Sequence, residues 1–114
     1  MKRSVRLTKQ ERADILTTAI EGGGIQYWAC DYGKITITRD GELNITSAKF
    51  EADNESGEKL ECKVTLSDIQ KGVNKILETE ESPYIVKSIM TNDHDAETAD
   101  CIIQAAVFGK VIYG

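Results

Sequence analysis

Two groups of residues in this sequence have the types and spacing to do chemistry. The first is the run Glu21-Gly22-Gly23-Gly24-Ile25-Gln26-Tyr27-Trp28. Three consecutive glycines are costly to order, so their use implies special backbone angles or very close approach by another group. Trp28 is the only tryptophan, and Tyr27 and Tyr32 lie near it. Flat aromatic side chains beside bare backbone N–H groups suit a planar or anionic ligand, through stacking and amide donation. The second group is Asp100 and Gln104. They stand one helical turn apart among Ala99, Ile102, Ile103, Ala106 and Val107, with Cys101 and Ala105 beside them. That stretch is apolar nearly all round, as in a buried central helix. A polar pair there needs partners, because unpaired burial is expensive. The pair can bond the backbone of the glycine turn, line a pocket, or lie exposed on a narrow polar stripe. If the two groups meet around a pocket, the ligand-binding set is Gly22, Gly23, Gly24, Gln26, Tyr27, Trp28, Asp100 and Gln104. If they meet without one, the glycines are a helix terminator, the aromatics are core, and the pair ties a buried polar knot.

Other chemistry is poorly provided for. The one histidine, His94, neighbours Asp93 and Asp95, but adjacency along the chain is not the geometry a general base needs, and it reads as an exposed loop residue. The glycine run follows a helical pattern rather than a strand and lacks a following Lys-Ser/Thr pair, so it is neither a P-loop nor a dinucleotide fingerprint. Cys30, Cys62 and Cys101 are widely spaced, without the paired Cys-x-x-Cys of a zinc or redox site, and read as buried reduced thiols. The expectation is a non-enzymatic protein with no metal and no cofactor.

The elements that must position these residues follow from periodicity. The chain has 114 residues, the size of one domain, 1–114. Thr8 and Glu11 form a capping box, and Ala13, Ile15, Leu16, Ala19 and Ile20 recur at helical spacing until the glycines stop the helix. Residues 25–32 are aromatic-rich and fit a short helix or a strand. A hairpin follows. A three-residue loop, Arg39-Asp40-Gly41, with a glycine bulge pairs Ile37 with Leu43 and Ile35 with Ile45, keeping one apolar face. From Ala48 the apolar parity shifts, which predicts a bulge or bend near Ser47. Leu60, Cys62 and Val64 alternate as a third strand. Thr65 caps a helix with core face Ile69, Val73, Ile76 and Leu77. Ser82 and Pro83 start a short helix to about Met90. A last helix runs from about Asp95 to Phe108, closed by Gly109, and Val111-Ile112-Tyr113 is a candidate terminal strand. The order predicts an α+β fold: an N-terminal helix, an antiparallel three-stranded meander with a possible fourth short C-terminal strand, then two to three helices packed on one face.

The formal charge is −5, with a basic first dozen residues and three acidic stretches, around 51–61, 78–81 and 93–100. A backbone reader needs clustered Lys and Arg, so direct nucleic-acid binding is not expected. No apolar run reaches the roughly 18 residues of a membrane span, and the basic N-terminus leads into no apolar signal region, so no membrane association and a cytoplasmic location are expected. A three-stranded sheet has two open edges, and pairing across a dimer would cover one, so a homo-oligomer is expected.

The two chemistry-bearing groups also carry a resemblance. Glu21-Gly22-Gly23 with Tyr27-Trp28-Ala29, taken with Ala99-Asp100, Gln104, Phe108-Gly109 and Tyr113-Gly114, resembles a family of small uncharacterised bacteriophage and prophage proteins; Gly24 is an additional glycine here. The resemblance covers about a third of the chain, at its two ends, and brings no activity with it. It implies a phage accessory protein working in a host bacterial cytoplasm. In that setting two binding functions are open, beside a third reading as a small phage enzyme or structural accessory. One is counter-defence, by sequestering a small nucleotide-like signal molecule in the glycine–aromatic pocket. The alternative is an acidic protein inhibitor that docks on a host nucleic-acid-handling enzyme by DNA mimicry.

Overall fold

Every helix begins on a cap written into the sequence. In the computed structural model, which describes residues 5–22, 25, 28–30, 35–41, 45–80 and 82–113, helix α1 spans Lys9–Glu21. Its Thr8 hydroxyl accepts from the Glu11 amide while the Glu11 side chain returns to the Thr8 amide. Helix α2 (Leu66–Thr79) repeats the device with Thr65 and Asp68. Helix α3 (Pro83–Met90) has Ser82 as cap and Pro83 in its first turn. Helix α4 (Ala96–Phe108) is capped by Asp95 and closed by Gly109 at φ 80°, where a Cβ would be strained. Such caps satisfy backbone N–H groups that a helix start otherwise leaves without partners. The glycine stop of α1 differs from expectation. Gly22 is right-handed, at φ −80°, and a Cβ there would lie 2.4 Å from the Thr18 carbonyl oxygen that accepts its N–H. Gly23 and Gly24 lie outside the described residues.

The strands are β1 (Ala29–Cys30), β2 (Thr36–Arg39), β3 (Ile45–Asp53) and β4 (Lys59–Thr65). All pairings are antiparallel. β3 is central, with β4 along one edge and β2 and β1 sharing the other. The meander β2–β3–β4 is the one the alternation predicts, and the fold is α+β. The fourth strand, however, comes from the aromatic-rich segment and not from the C-terminus. Residues 111–113 form no strand, because the amides of Ile112 and Tyr113 are taken by a side chain, that of Gln104.

The hairpin register also corrects the expectation. Ile37 pairs with Ala48, Thr38 with Ser47 and Arg39 with Ile45; Leu43 lies outside the described residues. Register is specified by whichever strand face is buried. The buried set on β3 is Ile45, Ala48, Phe50 and Ala52, whereas β2 is exposed throughout and places no core demand on Ile37. The parity shift is real: Thr46 is the extra residue opposite the Thr38–Arg39 step, a bulge that lets both Ile45 and Ala48 face inward. Gly41 is left-handed, at φ 48°, as the turn requires.

Helices α1, α2 and α4 pack on the face of the sheet that carries Phe50, Ala52, Cys62 and Val64. α4 is the hub, touching α1, α2, α3 and β4. Its approach to α2 is close enough that a Cβ on Gly72 would stand 2.4 Å from the Ile102 carbonyl oxygen. Glycine inside a helix costs about 1 kcal/mol, and here the backbone-to-backbone contact requires it. This places the inward face of α4, with Asp100 and Gln104, at the centre of the molecule.

Candidate functional site

The two sequence groups meet. Trp28 is 6% exposed, and its N–H and that of Ala29 both bond the Ile25 carbonyl, at 3.2 and 2.9 Å. Its indole Nε1–H donates to Asp100 Oδ1 at 2.5 Å, in the interior. Gln104 Nε2 donates to the same oxygen at 3.2 Å and to the Tyr113 carbonyl at 3.1 Å. Gln104 Oε1 accepts the Ile112 and Tyr113 amides at 2.9 and 2.8 Å. The amide of Gln104 thus does for the C-terminal tail what a neighbouring strand would do. The Tyr113 ring stacks on Trp28, with centroids 5.7 Å apart and planes 6° from parallel, and its hydroxyl donates to the Asp53 carbonyl at 2.6 Å. Phe50 and Phe108 meet the other sides of the indole. Asp100 is 5% exposed and Gln104 0%. The pair is not an exposed stripe: it forms a buried polar knot that joins the aromatic segment, α4 and the tail.

Of the residues expected around a ligand, the structure therefore brings together Trp28, Asp100 and Gln104. Gly22 lies exposed at the end of α1. Gly23, Gly24, Gln26 and Tyr27 lie outside the described residues. The aromatic Tyr113, expected in a terminal strand rather than around a ligand, joins the group.

The knot backs onto a cleft of about 380 Å³. One wall is the C-terminal half of α2, with Lys75, Ile76 and Thr79. Another is the start of α3, with Ser82 and Ile85. α4 supplies Glu97, Asp100, Cys101 and Ala105, and the tail supplies Lys110, Val111 and Tyr113. Asp100 thus belongs both to the knot and to the cleft. Lys110 also pairs with Glu55 at 2.9 Å across an exposed contact, which is weak in water. Burial pushes the Cys101 thiol up to about 11, helped by the nearby Asp100, Glu97 and Asp95 charges. At neutral pH Cys101 is therefore a protonated lining group and a poor nucleophile. Among the described residues no cluster of three or more His, Cys, Asp or Glu side chains is arranged to hold a metal ion, and no described helix is long and apolar enough to cross a membrane.

His94 is not the exposed loop residue expected. It sits half-buried against α1, in a depression lined by Glu11, Asp14, Thr18 and Asn92. One ring nitrogen, Nε2, lies 2.7 Å from Asn92 Oδ1, while Nδ1 is buried with no hydrogen-bond partner among the described residues. Burial holds the imidazole below its ordinary value of 6.5, against the opposing pull of Glu11, Asp93, Asp14 and Asp95. Below 6.5 the unfolded chain then binds more protons than the folded one, so stability falls with pH from 6.5 down through the folded-state value. Urea denaturation at pH 7.5 and 5.5 should show that loss, and His94→Gln should remove part of it. An equal loss in wild type and variant would assign the pH dependence to the carboxylates instead.

Comparison with protein-family models, with curated proteins and with solved structures finds no match for this chain.

Proposed function

We propose that this is a non-enzymatic binding protein whose ligand occupies the cleft between α2, α3, α4 and the C-terminal tail. The observation that carries the reading is the cleft itself. At about 380 Å³ it falls in the size range of small-molecule sites, and it combines apolar walls with a few convergent polar groups. Ile76, Ile85, Val111 and Tyr113 offer surface to a flat ring. Lys75 and Lys110 offer charge to an anion, and Glu97 and Asp100 can accept from amino or imino N–H groups. Cations for a phosphate, acceptors for a base edge and an apolar wall for its face suit a small nucleotide-like ligand. This fits the setting implied by the phage-type resemblance, sequestration of a nucleotide signal in a host cell. Trp28 then supports the site from behind, since it holds Asp100 and Tyr113 in place. Docking by DNA mimicry finds less support in the surface: on the open face of the sheet Glu51 and Glu61 alternate with Lys49, Lys59 and Lys63.

Thermal unfolding against a panel of cyclic and linear nucleotides at about 1 mM tests the reading. At a hundredfold excess over Kd, a ligand that binds only the folded state stabilises by about 2.7 kcal/mol, a Tm rise on the order of 10 °C for a domain of this size. Lys75→Glu and Lys110→Glu should each remove most of the rise while leaving the unliganded Tm nearly unchanged, because both side chains are exposed. No rise with any member of the panel would eliminate this ligand class.

A further inference from the structure

The face of the sheet turned away from the helices carries an ordered charge pattern that the cleft does not explain. Along β3 the side chains of Lys49 and Glu51 are exposed between buried Ala48, Phe50 and Ala52, and along β4 Lys59, Glu61 and Lys63 are exposed around buried Cys62 and Val64. The register places Lys49 directly opposite Lys63 and Glu51 directly opposite Glu61. Directly opposed residues are the closest neighbours on a sheet face, and like charges in that position are unfavourable. Among the described residues the compensation is one long contact, Lys59 Nζ to Glu51 Oε2 at 3.9 Å between two exposed side chains, of small worth. The face therefore consists of a positive row of two lysines next to a negative row of two glutamates, each internally repulsive.

We propose that this face pairs with the same face of a second copy of the chain. A two-fold axis lying between the stacked sheets, across the strands and midway between the two rows, sets Lys49 and Lys63 of each copy over Glu51 and Glu61 of the other. The rows beyond are compatible with the same operation. Asp53 opposite Lys59 on one copy comes over Ser47 opposite Thr65 on the other, charged groups over hydroxyls with no like-charge encounter. An isologous contact of this kind satisfies itself and closes as a dimer. It converts two repulsive pairs per copy into four cross-copy attractions. Because the contact is charged and rim-like, it is weak and sensitive to salt. The cleft lies on the helical side of the sheet, so ligand binding and pairing occupy separate surfaces.

Sedimentation analysis of the whole chain at about 0.02 M and about 0.5 M salt, where the Debye length falls from roughly 20 Å to roughly 4 Å, gives the first test. The wild type should move from the mass of two chains toward that of one as salt rises. The charge swaps Lys49→Glu with Lys63→Glu, and separately Glu51→Lys with Glu61→Lys, should each leave a monomer at low salt. Mixing the two variants should restore a dimer containing one of each, visible by native mass spectrometry. A wild type that stays monomeric at low salt overturns the proposal, and so does a dimer that survives both swaps or high salt. The wild-type salt series decides the matter even if a swapped variant folds poorly.

Discussion

Replacing Trp28 by alanine is expected to destabilise the protein by about 3–5 kcal/mol, the range for removing a large buried aromatic side chain. Three causes add. The indole lies among Phe50, Phe108 and Tyr113, all with ring centroids within 6 Å of it, so its removal opens a cavity on several sides at once. The Asp100 carboxylate loses its shortest recorded donor while remaining 5% exposed; a buried acceptor left short of donors costs about 1–3 kcal/mol, more for a charged one. Tyr113 loses the ring on which the tail is stacked. Against a total stability of roughly 5–15 kcal/mol for a natural domain, much of the molecule's margin disappears. Trp28→Phe separates the causes, because it keeps a ring and removes the donor; it should cost less than the alanine variant and leave the proposed nucleotide binding in the cleft measurable. Equilibrium urea unfolding followed by far-UV circular dichroism provides the measurement. An alanine variant as stable as wild type, with ligand binding lost, would instead return Trp28 to the binding surface.

The parts of the fold legible in the sequence were those governed by local physics. Thr8 with Glu11, Thr65, Ser82 with Pro83, and Gly109 set the helix ends, because capping needs only residues a few positions apart. The bulge at Thr46 showed as a parity shift, a property of one strand. The hairpin register did not show, because matching Ile35 and Ile37 with Leu43 and Ile45 assumes one shared buried face, and β2 buries nothing; the demand comes from β3 packing on α1, a contact between elements distant in sequence. The knot was half legible. An Asp–Gln pair in an apolar helix must have partners, and that argument holds without a structure. Which partners it finds depends on how far the tail folds back, and nothing in Val111-Ile112-Tyr113 distinguishes a strand from a segment bonded by one glutamine. The cleft was not legible at all: its Lys75, Ser82, Glu97 and Lys110 come from four separate segments, and each has an ordinary local role or none.

Trp28, Asp100, Gln104, Phe108 and Tyr113 come from the two ends of the chain and meet in this knot, which closes the fold. The sharpest test is therefore Gln104. Its amide group donates to Asp100 and to the Tyr113 carbonyl and accepts from Ile112 and Tyr113, and so links Asp100 to the backbone of the tail. Gln104→Ala should cost about 3 kcal/mol, from a cavity at a fully buried site and from polar groups left short of partners. The loss has a ceiling, because the tail can swing out and let water satisfy Ile112 and Tyr113. Release of the tail is thus the distinguishing sign: amide exchange at 110–113 should accelerate to the rate of an unstructured segment while the amides of α2 keep most of their protection. Since Lys110, Val111 and Tyr113 form one wall of the cleft, the same substitution should weaken the proposed ligand binding without changing the exposed lysines that line it. Gln104→Glu keeps the acceptor for both tail amides but gives up the donor to Asp100 and sets a second carboxylate beside it. It should hold the tail better than alanine does and gain stability as the pH is lowered, because protonating either acid removes the repulsion. A tail that remains protected in Gln104→Ala would mean that Tyr113, through its stack on Trp28 and its bond to Asp53, holds the C-terminus unaided, and would move the closing role from the glutamine to the tyrosine.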